Sequence, residues 1–121
     1  MSATGRVLVV DDQPLIANVL AEQLRQSGYT VKIALSGADA LDLFDTFQPD
    51  VVLLDLTMPG LTGGEVLDRV RTTYPHIPVV VMTGDAGRAR ETLARGAVAY
   101  LVKPFKMGAL TATVGEVLGQ R

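Results

Sequence analysis

The stretch Asp50-Val51-Val52-Leu53-Leu54-Asp55-Leu56-Thr57-Met58-Pro59-Gly60 sets four apolar residues in an unbroken row, then an acid, then a turn signal. Four residues are too few for a helix and too apolar for a surface loop. Residues 51–54 therefore read as a strand buried on both faces, as strands of parallel sheets usually are. That puts Asp55 at the carboxyl end of an interior strand, where open α/β sheets bind their ligands. A second row of the same kind, Val7-Leu8-Val9-Val10, runs into Asp11 and Asp12.

Outward from these two rows, short apolar runs alternate with helical patterns about five times, the arrangement of a βαβ sheet protein. Strands are predicted at 6–10, 30–34, 51–54, 79–82 and 99–102. In the first helix Leu15, Ile16, Val19, Leu20 and Leu24 recur at helical spacing, with Pro14 suited to the first turn and Gly28 to the stop. Ser36 can cap the second helix, whose expected buried stripe is Ala40, Leu41, Phe44 and Phe47 until Pro49. The third, about 64–74, should bury Val66, Leu67 and Val70. The last, from about Lys106, carries Leu110, Val114, Val117 and Leu118. The fourth, about 86–95, is poor in apolar residues and bears Arg88, Arg90 and Arg95, so it should shift cheaply. A charged helix is otherwise simply a solvated face. Lys32 between Val31 and Ile33 suits an edge strand, and right-handed crossovers then favour a doubly wound sheet of order 2-1-3-4-5. In that order the first and third strands are neighbours, so Asp11, Asp12 and Asp55 share one crevice.

The chain has 121 residues, 48% hydrophobic and 20% charged, with a formal net charge of -2 and no cysteine. These values suit one soluble globular domain over 1–121, with no output domain, disulfide or thiolate metal site. No apolar run approaches the roughly 20 residues that span a bilayer, and the first residues lack a signal-peptide pattern, so a cytoplasmic location is expected and no membrane contact. The charge offers no electrostatic reason for direct nucleic-acid binding.

Three carboxylates at one rim repel each other unless some protonate or a cation binds. Magnesium prefers oxygen ligands and is commonly held by one or two carboxylates together with a phosphoryl oxygen; manganese is the alternative. The plainer reading of Asp11-Asp12 is a cap ahead of Gln13-Pro14. Thr83-Gly84 follows the row 79–82, and Lys103-Pro104 follows Tyr100-Leu101-Val102, adding a hydroxyl and an ammonium to the same rim. Alone, Thr83 is a turn residue and Lys103 a solvated lysine; four apt strand ends together argue otherwise.

These residues, Asp11-Asp12, Asp55-Leu56-Thr57-Met58-Pro59-Gly60, Met82-Thr83-Gly84 and Lys103-Pro104-Phe105, in that order and each closing a predicted strand, resemble the receiver domain of two-component response regulators. The resemblance covers essentially the whole chain and implies a flavodoxin-like sheet with five helices. It implies that Asp55 takes a phosphoryl group from a histidine of a sensor histidine kinase or histidine phosphotransfer protein, giving an aspartyl phosphate. Asp12 and Asp55 are implied as direct magnesium ligands, Asp11 mainly through a water, with the backbone carbonyl of Thr57. Lys103 is implied to pair with a phosphoryl oxygen, Thr83 to move onto another, and the Lys103–Pro104 bond to be cis. Tyr100 stands where receivers often carry an aromatic that turns inward; the plainer reading is a partly buried tyrosine on an edge strand. The protein is then a signalling switch, catalysing only its own phosphotransfer and autodephosphorylation. Its expected output face is the fourth helix, last strand and last helix, which would engage an output domain or partner protein or form a dimer.

Thr57 and Asp85 border the route of the attacking water in such domains. Gly84 and Gly87 offer that loop backbone freedom or plain turn chemistry, and Gly60, Gly63 and Gly64 serve turns and the approach to the third helix. His76 reads as a surface loop residue at the opposite end of the sheet, and Met58, Met82 and Met107 as packing residues. Three other classes are set against the receiver reading. A haloacid-dehalogenase-type phosphatase would need an acid where Thr57 stands. A flavodoxin-like electron carrier would meet repulsion from Asp11-Asp12 at its flavin phosphate. A receiver-shaped module that is never phosphorylated would not need the full set of acids, threonine and lysine.

Overall fold

The computed structural model of the protein describes residues 4–57 and 63–119. Five strands alternate with five helices: β1 (Arg6–Val10), α1 (Pro14–Gln26), β2 (Thr30–Ala34), α2 (Gly37–Phe47), β3 (Val51–Asp55), α3 (Gly63–Thr73), β4 (Val79–Thr83), α4 (Ala86–Ala94), β5 (Ala99–Val102) and α5 (Met107–Gly119). The sheet is parallel throughout, in the order β2-β1-β3-β4-β5. Strands β3 and β4 each run one residue beyond the apolar row, because Asp55 pairs with Met82 and Thr83 with Val102. A polar side chain does not end a strand whose backbone still has a partner.

Alternate residues of the inner strands feed two cores. Val7, Val9, Val51, Leu53, Val80 and Met82 pack with Leu20 and Leu24 of α1 and Leu110 and Val114 of α5. Leu8, Val10, Val52, Leu54, Val79 and Val81 pack with Phe44 of α2 and Val66, Leu67 and Val70 of α3. Both faces are covered, which is why these strands read as continuous apolar rows. Strand β2 lies at one edge, where Lys32 is exposed with its ammonium 5.8 Å from the Phe47 ring centre. Ser36 caps α2, accepting from the Asp39 N–H at 3.1 Å, and Pro14 opens α1. Met82 is buried and Met107 packs at the edge of the first core, while Leu41 is only half-buried. His76 is an exposed residue between α3 and β4. The turn at Met58, Pro59 and Gly60, and the packing expected of Met58, lie outside the described residues. Among the described residues no helix is long and apolar enough to cross a membrane.

Helix α1 departs from its expected stripe. Its buried residues are Ala17, Leu20, Ala21 and Leu24, whereas Leu15 is 82%, Val19 58% and Ile16 39% exposed. The sheet side is taken by two alanines, which let the helix lie close, and the helix carries more apolar surface than the sheet can cover. Helix α4 is anchored as lightly as its composition predicts, burying only Ala89 and Thr92, the latter with its hydroxyl donating to the Ala89 carbonyl at 2.6 Å.

Gly63, at the start of α3, is tight against backbone. A Cβ there would stand 2.5 Å from both the Asp55 carbonyl oxygen and the Leu56 Cα. Gly84 and Gly87 have no such need, and neither adopts a positive φ.

Two outcomes follow from this packing. Gly63→Ala should cost about 1–3 kcal/mol in urea unfolding, since overpacking here meets main chain that cannot turn aside; a loss below a few tenths would show the contact to be loose. Leu15→Ser with Val19→Ser should leave unfolding free energy within about 0.5 kcal/mol of wild type; a loss of core magnitude would mean that these side chains are covered.

Candidate functional site

Strands β1, β3, β4 and β5 all end at one rim, and the backbone there ties their ends together. Leu56 N–H donates to the Met82 carbonyl at 3.0 Å, Lys103 N–H to the Thr83 carbonyl at 2.8 Å and Asp11 N–H to the Ala34 carbonyl at 3.1 Å. Side chains on these residues are thus placed by the sheet rather than by loops. Asp55, on a strand buried along its whole length, is 3% exposed. Its Oδ1 accepts from the Thr57 N–H at 2.9 Å and its Oδ2 meets the Lys103 ammonium at 3.3 Å. Lys103 keeps about a third of its side chain in solvent, so its apolar stem spans the rim while its charge faces the acid.

Asp11, Asp12 and Asp55 each offer a carboxylate oxygen, all within 4.8 Å of one another. Asp11 is fully buried. Its Oδ1 accepts from the Gln13 N–H at 2.9 Å, while Oδ2 has no hydrogen-bond partner among the described residues. Burial pushes its pKa up; the Gln13 N–H acts against this, Asp55 and Asp12 add to it by repulsion, and Lys103 opposes it. An orphaned carboxylate oxygen facing two other acids is the chemistry of a hard-cation site. The capping alternative for this pair does not hold for α1: its N-cap is Gln13, with no side-chain cap.

Thr83 is buried, and its hydroxyl accepts from the Asp85 N–H at 3.2 Å. Asp85 turns its own carboxylate to α4, accepting from the Arg88 N–H at 3.1 Å as N-cap. Tyr100 is half-buried on edge strand β5 and packs against the second core. The Lys103–Pro104 peptide is cis.

Two features were not singled out in the sequence. The exposed Leu15, Ile16 and Val19 join Pro104, Phe105 and Met107 in an open apolar groove beside Lys103. Arg95, counted only as a charge, donates to both oxygens of Asp68, at 2.7 and 3.3 Å, and to the Gly64 carbonyl at 2.9 Å. Periodicity signals the first weakly, through an apolar arc too wide for one buried stripe; nothing in the local sequence signals the second.

Comparison with known proteins bears on this arrangement. Curated relatives include the transcriptional regulatory protein TrcR of Mycobacterium tuberculosis, 37% identical over 115 residues, and the response regulator MprA of Mycobacterium sp. (strain KMS), 40% identical over 115 residues. The matches take in 93% of this chain and 45% and 50% of those proteins, so the chain spans about half the length of the curated relatives it matches. Among solved structures, NtrX from Brucella abortus superposes with a TM-score of 0.92 at 30% identity, over 98% of this chain and 28% of that one. The chemotaxis protein CheY4 of Vibrio cholerae superposes with a TM-score of 0.87 at 34% identity, over 95% and 99%. Residues 7–115 match the response regulator receiver domain family, and with that match, the strand order and these relatives, the chain belongs to the receiver domains of two-component response regulators.

Proposed function

We propose that Asp55 accepts a phosphoryl group from a phosphohistidine of a sensor histidine kinase or histidine phosphotransfer protein, in a magnesium-dependent reaction. The observation that carries this reading is the convergence on Asp55 of Lys103 at 3.3 Å and of two further carboxylates within 4.8 Å. An Asp55 oxygen attacks phosphorus, the new O–P bond forms as the N–P bond breaks, and the leaving imidazole takes up a proton. Asp12, Asp55 and the Thr57 carbonyl would hold the cation, Asp11 acting mainly through a water. Bound magnesium, with manganese as the alternative, supplies positive charge that offsets the charge of the transferring group. Lys103 gives up its pairing with the Asp55 carboxylate for a phosphoryl oxygen. Thr83 exchanges the Asp85 N–H for another phosphoryl oxygen, to which its hydroxyl donates.

The open apolar groove of Leu15, Ile16, Val19 and Phe105 adjoins Lys103 and offers the phosphodonor protein a docking place beside the acid. On the far side, departure of Thr83 alters the turn that leads into lightly anchored α4, so α4, β5 and α5, with Tyr100, form the responding face. That face controls an output domain or partner protein, or pairs with a second receiver. In this reading residues 1–121 form one cytoplasmic phosphoacceptor unit. It acts as a switch, not as a catalyst on an external substrate, and makes no direct contact with nucleic acid or membrane.

Incubation with acetyl phosphate and magnesium should add one phosphoryl mass to wild type and none to a folded Asp55→Asn variant. An unmodified, folded wild type would sink the reading and leave a receiver-shaped interaction module. The buried acid makes a separate expectation. With its folded pKa raised, Asp11 favours the native state when protonated, and that contribution is lost as pH rises through the folded pKa. Without divalent cations, Asp11→Asn should therefore melt a few degrees higher than wild type at pH 7. The gain should shrink as pH falls towards the ordinary carboxylate value of 3.8. A lower melting temperature at pH 7 would show that the charge is compensated without a metal.

A further inference from the structure

Helix α4 buries only Ala89 and Thr92, and two arginines, Arg88 within it and Arg95 at its C-cap, reach across to main-chain carbonyls of the neighbouring β–α unit. Arg88 donates to the Leu56 carbonyl at 3.5 Å, and Arg95 to the Gly64 carbonyl at 2.9 Å and to both oxygens of Asp68. Leu56 directly follows Asp55 and Gly64 lies in the first turn of α3, so the two arginines touch both flanks of the connection that leaves Asp55. A Cβ at position 64 would stand 3.1 and 3.3 Å from the two terminal nitrogens of Arg95. Glycine there leaves the guanidinium its place. In the same arrangement the Thr83 hydroxyl is engaged by the Asp85 N–H. These bonds therefore all belong to the state in which Thr83 is turned to its own loop.

From this we infer that Arg95, through Asp68 and the Gly64 carbonyl, is a positioning residue for phosphoryl acceptance: a polar latch that holds α4 in its resting place and so sets the cost of switching. The inference rests on the phosphoacceptor reading of Asp55. Interactions made in only one of two states bias the equilibrium between them, and a modification that favours the other state must overcome that bias. The pair is about half exposed on each side, so its weight is that of a partly screened ion pair with one added carbonyl bond. Cutting it should raise acceptance about two- to fivefold. A latch made of charge, unlike one made of apolar contact, can be released without uncovering core.

The test measures the initial rate of acetyl phosphate modification with magnesium, and amide hydrogen exchange of the unphosphorylated protein. Variants are Arg95→Ala, Asp68→Ala, the double variant and Gly64→Ala, with Arg90→Ala, exposed on the same helix, as control. Arg95→Ala should speed both modification and exchange across α4 and the first turn of α3, the double variant no further than Arg95→Ala, and Arg90→Ala neither. Gly64→Ala is the discriminating case. It keeps every charge and should hold or raise global stability as a helix residue, yet displace Arg95 and raise the modification rate. If wild type is modified but Arg95→Ala and Gly64→Ala behave like Arg90→Ala, the latch is refuted and the phosphoacceptor reading stands. If wild type is not modified at all, both fall.

Discussion

A carboxylate at the end of a strand buried on both faces has lost most of its water, and everything at the rim of this sheet is arranged around that cost. The Asp55 carboxylate accepts from one backbone N–H and meets one ammonium. Two more acids stand within 4.8 Å, and among the described residues Asp11 leaves one oxygen without a donor. A group of three acids and one lysine is under-neutralised by design of its register, since each acid sits where a paired strand stops. Such a site gains from a cation and from any ligand that brings acceptors to Lys103 and Thr83.

The same economy explains the unequal anchoring of the helices. Helices α1, α2, α3 and α5 are seated by leucine, valine, phenylalanine and alanine on a close-packed sheet, where any shift opens voids. Helix α4 follows directly on Thr83 and is seated by an N-cap, a buried threonine and arginines donating to carbonyls. Hydrogen bonds to water can replace such contacts at small net cost. The element next to the chemistry is thus the one that can be repositioned without disturbing either core.

Much of the arrangement at the rim is legible in the sequence. The rows at 7–10, 51–54 and 79–82 have only one reading, because continuous apolar residues over so short a length fit a parallel strand with both faces covered. Lys32 suits an edge strand, and right-handed crossovers then favour the order that the sheet has. Helix α1 shows where such reading stops: its apolar positions follow helical spacing, yet the stripe that packs contains Ala17 and Ala21, while Leu15 and Val19 face solvent. Periodicity identifies an apolar arc; how closely a helix can approach its sheet decides which part of the arc is covered. Arg95 shows the same limit for polar groups, since a cross-helix clamp depends on distances between segments remote in the chain.

The sequence by itself determined the alternation of elements, the strand order and the set of residues carried to one rim, because these follow from hydrophobic period, from the handedness of crossovers and from the residue at which each apolar row ends. Tertiary structure alone decided that Lys103 meets the Asp55 carboxylate, that Asp11 keeps an unpartnered oxygen, that α1 presents leucine and valine outward and that Arg95 bridges α4 to α3. Such contacts are set by side-chain reach and local desolvation between segments far apart in the chain, and no pattern confined to neighbouring residues encodes them.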